Sequence, residues 1–469
     1  MNLFKLSLLA LLLLSACYVN AAGVSPYLPI NSNTILENEI ERLGVSAGIP
    51  DLTKPYNLAT VVHYLEKVKR SHPILYRRLK HALKPYLASL TLSHAKLELS
   101  HGDNAKVRPN DRGYTTKDNA TLSLRANWQA ADWLGVYLGA EISEELKQPS
   151  GSMLSMGTDW AQLDIGYKDY WLSPFQGSAQ LLSTNAETLP SFSLSNNLPI
   201  KFYGRAFNYE VFLAQLSKQP VLFNDVYSNN KGPLLSGFHL SFQPTPWWTL
   251  GATRIFQFGG GERDLNAKTI IKAFFDPRGA DNDAAVDEES GNQIASISSR
   301  IYFDGRLPFS FNLELAGEDT SNNKAYQLGN TALTVGLYFP YFLVDNISLT
   351  YEYASWQNGW YTNNVYQQGF TNEGNILGHW AMQAQHDSGT AAPGKSHFLK
   401  SHWQTSWQHV VSVSIRGAEH QSRQYDDYWD IDIDYSFPVN EHLFSVGAYF
   451  GKDNFGESFA ELSISAQWN

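Results

Sequence analysis

Residues 429–435 read Trp-Asp-Ile-Asp-Ile-Asp-Tyr, a strict alternation of apolar and acidic side chains between two aromatic residues. Successive side chains of a strand point to opposite faces, so Asp430, Asp432 and Asp434 share one face. A transmembrane β-strand combines a wet inner face, an apolar outer face and aromatic residues at the membrane interfaces. We therefore predict that these carboxylates solvate a lumen or pair with arginines of neighbouring strands; an ion or substrate path along them is the alternative.

The same period of two recurs along the chain, for example at residues 121–128, 135–142, 309–315 and 411–416. It ends at residues 460–468, where apolar and polar side chains alternate up to the penultimate Trp468. Outer-membrane barrels close on such a final strand, which the barrel-assembly machinery reads. A soluble β-sandwich would also alternate, but it would leave the aromatic flanks of residues 429–435 unexplained.

The composition agrees with a barrel rather than with helical membrane spans. Of 469 residues, 13% are aromatic and only 17% are charged, and mean hydropathy is −0.30. An exported chain that contacts lipid without apolar helices must pair all its backbone groups in a closed barrel. Residues 95–469 supply about 18 strands at about 10 residues each plus connections of similar length. The predicted fold class is thus mainly β, a large antiparallel transmembrane β-barrel of about 18 strands preceded by a small α-helical periplasmic bundle.

The first 21 residues are predicted to be a signal peptide. Lys5 precedes an apolar run at residues 6–14, and residues 19–21 offer a small-residue cleavage site. Residues 14–17, Leu-Ser-Ala-Cys, also match a bacterial lipobox, in which Cys17 would be lipidated. Cleavage at the later site would remove Cys17, and both outcomes stay open.

Residues 22–94 are predicted to form the helical bundle, because their apolar residues follow helical spacing and four prolines divide the run into three short helices. Thr34 and Glu37 resemble a capping box at the first helix. Residues 51–86 carry eight basic and two acidic side chains, whereas residues 87–469 carry a net charge of −15. The basic residues form either a solvated helical face or a patch against anionic lipid or glycan.

Five short motifs are similar in order and spacing to those of the Wzi family of outer-membrane capsule-assembly proteins. They are LGATRIFQFGGGER at 250–263, GNQ at 291–293, PFSF at 308–311, GED at 317–319 and YQQGF at 366–370. Residues 170–178 depart from the family pattern, which has paired tryptophans there. The resemblance implies a non-enzymatic, lectin-like barrel in the bacterial outer membrane, with its helices in the periplasm. Its implied partners are capsular or exopolysaccharide and outer-membrane lipid.

The residues themselves permit sugar binding at 356–368, WQNGWYTNNVYQQ, which mixes aromatic faces with side-chain amides. The alternative is an interface girdle with a folded-in loop. The glycan-binding candidates are Trp356, Trp360, Tyr361, Tyr366, Gln367 and Gln368.

Other kinds of chemistry find little support in the sequence. The net charge of −10 argues against nucleic-acid binding, and one cysteine excludes a thiolate metal cluster. Neither a Gly-x-Ser-x-Gly elbow nor a His-Glu-x-x-His motif occurs, so we expect no catalytic residues and no cofactor. Residues 276–289 are acidic and could hold calcium, but a solvated loop without metal is the prediction. A porin-like transport channel is the main alternative function, and a barrel hydrolase is a third.

Overall fold

The computed structural model describes residues 23–263, 291–318, 320–321, 324–406, 409–440 and 442–468, and between 320 and 328 it describes the backbone alone. Eighteen antiparallel strands form one sheet, and the sheet closes because the first strand pairs with the last. The predicted fold class is confirmed, including the number of strands. The signal peptide, Cys17 and the acidic loop at 276–289 lie outside the described residues.

The helices precede the barrel, as predicted: α1 Thr34–Ala47, α2 Leu58–Lys67, α3 Pro73–Ala82 and a 3-10 turn at Lys84–Leu87. The side chain of Asn33 caps α1 by accepting the backbone N–H of Leu36 at 3.0 Å, so the cap is not the predicted Thr34. Gly48 ends α1 in a left-handed conformation with φ of 65°. Within the described part of the chain, every helix is too short or too polar to cross a membrane.

The barrel strands follow in chain order, each paired with the next. They are β1 Leu90–Gly102, β2 Ala120–Ala131, β3 Leu134–Ile142, β4 Met153–Thr158, β5 Ala161–Gly166, β6 Ser191–Ser195, β7 Arg205–Gln215, β8 Leu234–Thr245, β9 Trp248–Phe258, β10 Asn292–Phe303, β11 Phe309–Glu318, β12 Thr331–Phe339, β13 Ile347–Trp356, β14 Gly394–Ser406, β15 His409–His420, β16 Tyr428–Val439, β17 His442–Lys452 and β18 Ser458–Trp468. Two short segments, Lys147–Gln148 and Ile200–Phe202, extend β4 and β6 respectively. The first strand begins at Leu90, inside the segment predicted as the bundle.

The two ends of the barrel differ. At one end, two-residue turns join β2 to β3, β4 to β5 and β8 to β9. At the other end, the connections include residues 167–190, 216–233 and 357–393. We call these the short-turn end and the long-loop end. Outer-membrane barrels have the same asymmetry, with short periplasmic turns and longer extracellular loops.

The wall carries polar side chains inside and apolar ones outside. On β16, Asp430 is buried while Trp429, Ile433 and Tyr435 are exposed, as the alternation predicted. Exposed aromatic residues form a belt near the short-turn end: Trp128, Trp133, Trp160, Phe202, Tyr203, Trp247, Phe303, Trp403 and Trp468. Such a belt marks the level of a membrane–water interface.

The N-terminal residues 23–87 fill the lumen at the short-turn end, and we call them the helical plug. Ser348 of β13 donates to the side chain of Asn38 at 2.7 Å, and Tyr302 of β10 donates to the carbonyl of Ile49 at 2.9 Å. Gln243 of β8 donates to the carbonyl of Gly48 at 2.9 Å. Three separate strands therefore fix the plug against the inner wall.

Residues 167–190 leave the wall after β5 and turn into the lumen, so we call them the descending loop. Trp171 and Phe175 are fully buried there. The carboxylate of Glu352 on β13 accepts the backbone N–H groups of Gln176 at 2.6 Å and Gly177 at 3.0 Å. These bonds satisfy two backbone N–H groups that cannot reach water inside the barrel. The descending loop is thus an integral part of the barrel interior.

Residues 357–393 form a covering loop over the long-loop end. Its buried aromatic residues join the descending loop in the largest hydrophobic cluster of the described chain, which includes Trp360, Tyr361, Phe370 and Trp380. Because the helical plug, the descending loop and the covering loop follow one another along the axis, the barrel holds a packed core where a porin has a channel.

Candidate functional site

The predicted aromatic glycan-binding residues are placed in the interior. Trp356 ends β13, and Trp360, Tyr361 and Tyr366 lie in the covering loop; all four are at most 4% exposed. The indole of Trp356 donates to the carbonyl of Ala392 at 3.2 Å. Stacking on a sugar needs an open ring face, and these rings offer none in this conformation. The burial agrees with the alternative interpretation of a folded-in loop.

The two amide candidates have different surroundings. Gln367 is exposed and Gln368 is half-buried at the long-loop end. The structure therefore separates the six candidates into four packing residues and two accessible amides.

The three lumen carboxylates point inward but have different partners. Asp430 is completely buried and accepts Arg416 of β15 at 2.9 Å and the hydroxyl of Tyr428 at 2.5 Å. Asp434 accepts the hydroxyl of Ser436 at 2.8 Å. The pairing of Asp430 with an arginine of the neighbouring strand agrees with the first of the predicted roles.

Asp432 and Asp434 line an inner cavity of about 210 Å³ between the wall and the descending loop. Both signs of charge face it. Lys96 on β1 pairs with Glu98 at 2.6 Å, and Arg108 lies 3.5 Å from Glu461 on β18. Because many of the charges that face it are paired with one another, this cavity suits water better than a sugar ring.

A second cavity of about 170 Å³ opens among the loops at the long-loop end, and we call it the outer pocket. Five parts of the chain build it: the β1–β2 connection, the descending loop, the covering loop, the β17–β18 connection and the wall strands β16 and β18. Its polar and aromatic lining residues are Lys106, Asn185, Trp380, Gln383, Asp387, Tyr428, Asp453, Asn454, Phe455 and Phe459.

Aromatic rings provide the apolar surface of the outer pocket. Phe455 stands at the rim with 48% of its surface exposed. Trp380 is 5% exposed and packs against Tyr428 with ring centroids 5.2 Å apart. Among the described residues, the indole Nε1 of Trp380 has no hydrogen-bond partner. A buried N–H without a partner is costly to the folded state.

The polar rim is more acidic than basic. The ammonium of Lys106 lies 2.5 Å from Asp453 and 2.8 Å from Glu457, so two carboxylates share one cation. Asp387 is exposed on the short helix Gln383–Ser388. The rim therefore presents oxygen acceptors to a ligand, and its positive charge is already paired.

A hydrogen-bonded group separates the two cavities. Tyr428 lines the outer pocket, whereas Tyr449 and Arg416 line the inner cavity. The carboxylate of Asp430 bonds all three side chains, at 2.5, 3.4 and 2.9 Å respectively. Tyr428, Asp430 and Arg416 therefore form a hydrogen-bonded base of the outer pocket, which we call the polar floor.

Reasoning from the sequence missed the outer pocket. Its residues come from positions near 106, 380–387 and 453–459, which no local pattern connects. The available signal was an aromatic residue in a turn at Asn454-Phe455-Gly456, where loop aromatics often serve binding. In the described part of the chain, no group of three His, Cys, Asp or Glu side chains could hold a metal ion.

Comparison with known families identifies the chain. The family described as capsule assembly protein Wzi matches residues 93–404. The chain belongs to the Wzi family. No curated protein sequence matches it.

One of the solved structures that are similar to this chain shows the same fold. Escherichia coli Wzi, described as an outer membrane protein involved in group 1 capsule assembly and a carbohydrate-binding β-barrel, is 15% identical with a TM-score of 0.71. The match covers 95% of this chain and 99% of that one. The match to Pseudomonas aeruginosa OccK5 covers 81% of this chain and 96% of that one, with 10% identity and a TM-score of 0.47. Acinetobacter baumannii OccAB4 covers 80% and 96% at 10% identity and TM-score 0.45.

Two of the motifs that resemble the Wzi family, at 250–263 and 366–370, meet under the covering loop. Tyr366 donates to the carbonyl of Gly259 at 3.2 Å, and Gln257 donates to that of Gly369 at 3.2 Å. Gly259 has a φ of 67°, a conformation that glycine adopts without strain. These motif residues therefore hold the covering loop in place. They support the outer pocket through that loop and do not line the pocket themselves.

Proposed function

We propose that this Wzi-family protein is a non-enzymatic, lectin-like barrel of the bacterial outer membrane that holds capsular or related exopolysaccharide at the cell surface. The proposal places the long loops outside the cell and the short-turn end, with the helical plug in its lumen, on the periplasmic side. Its single most important support is the outer pocket, which combines the exposed ring of Phe455 with the carboxylates of Asp387 and Asp453.

The pocket chemistry fits a sugar. Carbohydrate rings stack their C–H faces on aromatic rings and use their hydroxyls as donors and acceptors. Phe455 would offer the stacking face, and Asp387 and Asp453 would accept hydrogen bonds from sugar hydroxyls. Gln367 is an accessible amide at the same end of the barrel.

Because the lumen is filled, a protein that retains a polymer at the surface is better supported than one that passes it through the barrel. The helical plug closes one end, and the descending and covering loops occupy the other. A porin-like function needs a continuous water path, so transport is the weaker candidate.

The cellular test is deletion of the gene. We expect polysaccharide to be synthesised in normal amount but released into the medium, because the surface attachment is lost. Complementation with the wild-type gene should restore surface polysaccharide, whereas Phe455→Ala should restore it only partly. Tyr203→Ala, a change of an exposed aromatic residue at the short-turn end, is the matched control and should complement fully. Unchanged surface retention in the deletion strain would contradict the proposal.

The biochemical test measures binding of the purified polysaccharide from the same strain to the protein in detergent. Phe455→Ala should weaken binding about 5-fold to 30-fold, the range expected for loss of one stacking contact. Asp387→Asn removes an exposed carboxylate of the rim, and it should weaken binding of sugar hydroxyls as well. Thermal unfolding of each variant is measured in parallel, and normal binding by both folded variants would argue against this pocket.

A further inference from the structure

The outer surface of the helical plug is basic. Exposed cationic side chains occur at the end of α2, in the following turn, on α3 and in the 3-10 turn: Lys67, Lys69, Arg70, Arg77, Lys80 and Lys84. In the described structure, none of these six forms an ion pair with a carboxylate. We call this set the basic face.

Packing fixes the direction of the basic face. The opposite side of α3 and the 3-10 turn is buried in the plug core through Leu75, Leu79, Leu83 and Tyr86. Arg77 and Lys80 are three residues apart on α3 and therefore lie on one helical face, away from that core. The side chains of these cations point out of the barrel because the other side of the helix is buried in the plug core.

One edge of the basic face joins the lipid-facing wall. The 3-10 turn that begins at Lys84 ends at Leu87, and β1 begins at Leu90. Leu87, Leu90 and Leu92 are 55%, 73% and 52% exposed. Leu90 pairs with Trp128, a member of the aromatic belt at the short-turn end. Lys84 therefore lies beside the level at which lipid headgroups meet the barrel.

We propose that the basic face docks on anionic phospholipid headgroups of the membrane leaflet at the short-turn end. Lysine and arginine near such a surface are attracted by its negative potential, while their aliphatic stems cover apolar surface. The remainder of the chain from residue 87 onward carries a net charge of −15, so the attraction is confined to this side. The contact would hold the plug and the rim of the barrel in a fixed position relative to the bilayer. It does not depend on sugar binding at the opposite end.

The test uses the full-length protein in nanodiscs of phosphatidylcholine with increasing phosphatidylglycerol. Phosphatidylglycerol should raise the melting temperature and should be enriched among the lipids that stay bound in native mass spectrometry. Arg77→Gln, Lys80→Gln and Lys84→Gln combined should reduce that enrichment at least about threefold, because three of six cations are lost. The changes are at exposed positions, so the fold in phosphatidylcholine should be unaffected.

The matched control is Lys117→Gln with Lys231→Gln, two exposed cations in long loops. It should leave the phosphatidylglycerol effect unchanged. Equal lipid enrichment in the triple variant and the wild type would overturn the proposal. Binding of soluble polyglutamate without any phosphatidylglycerol effect would also overturn it, and would assign the face to an acidic soluble partner instead.

Discussion

Lys54 and Trp171 exchange two backbone hydrogen bonds inside the barrel, of 2.9 Å and 3.0 Å. Lys54 belongs to the helical plug, which enters from the short-turn end. Trp171 belongs to the descending loop, which enters from the long-loop end. The isolated antiparallel bridge between them joins the two fillings near the middle of the lumen.

The double filling predicts a closed barrel. In planar lipid bilayers, the wild-type protein should show no steady ion conductance. Replacing residues 171–182 by a Gly-Ser linker, or removing residues 33–83, should open the barrel little, because each leaves the other filling in place. The combined variant should conduct more than either single variant, since only the covering loop then remains inside an 18-stranded wall that encloses a water-sized space. Porin-level conductance of the wild-type protein would contradict this structure of the lumen.

The junction itself should contribute strongly to stability. Trp171 is 1% exposed, and its indole donates to the carbonyl of Phe175 at 2.9 Å. Trp171→Ala should lower the free energy of unfolding by about 3–5 kcal/mol, because it leaves a cavity and an unpaired carbonyl. Urea unfolding in lipid vesicles measures the change. Trp133→Ala, at a ring that is 59% exposed, is the control and should cost less.

Arg416 and Asp430, in the polar floor of the outer pocket, should contribute to stability as an energetically coupled pair. Arg416→Gln would leave the fully buried Asp430 carboxylate without its cation and should cost about 3–5 kcal/mol of unfolding free energy. Adding Asp430→Asn to that variant should recover part of the loss, because the uncompensated charge is then removed. A double-mutant cycle of unfolding free energies measures the coupling, and strictly additive losses would exclude it.

Loop stability should depend on pH through Glu187. The pKa of Glu187 is raised to about 7, mainly by its partial burial and secondly by the nearby carboxylate of Glu373. A raised pKa favours folding in acid, and this contribution is lost as the pH rises through 7. Glu187→Gln should therefore match the wild-type melting temperature near pH 4 and exceed it at pH 8. Glu145→Gln, at an exposed position in the β3–β4 connection, is the control; an equal rise there would point to net charge alone.

The acidic rim predicts a preference among sugars. Neutral oligosaccharides such as maltoheptaose should bind the outer pocket more tightly than glucuronate-containing hyaluronan fragments, because Asp387 and Asp453 repel a sugar carboxylate. Asp387→Asn should narrow the difference, and added salt should favour the acidic fragment. Isothermal titration at two salt concentrations tests this, and tighter binding of hyaluronan at low salt would contradict it.

The alternation of residues determined the wall by itself. Strand period two assigns each side chain to lipid or lumen locally, so the sequence predicted the barrel, the strand number and the inward Asp430. Helical spacing likewise predicted the plug helices, and only their caps and the start of β1 at Leu90 differ.

Tertiary structure alone determined what fills and caps the barrel. Trp360 and Tyr361 are as compatible with an exposed sugar platform as with a core; their burial depends on contact with the descending loop, about 180 residues away in sequence. The outer pocket depends in the same way on connections around positions 106, 385 and 455 meeting over one rim. Strand patterning is a local property of the backbone, whereas loop docking is a sum of distant contacts that takes definite form only after the barrel has closed.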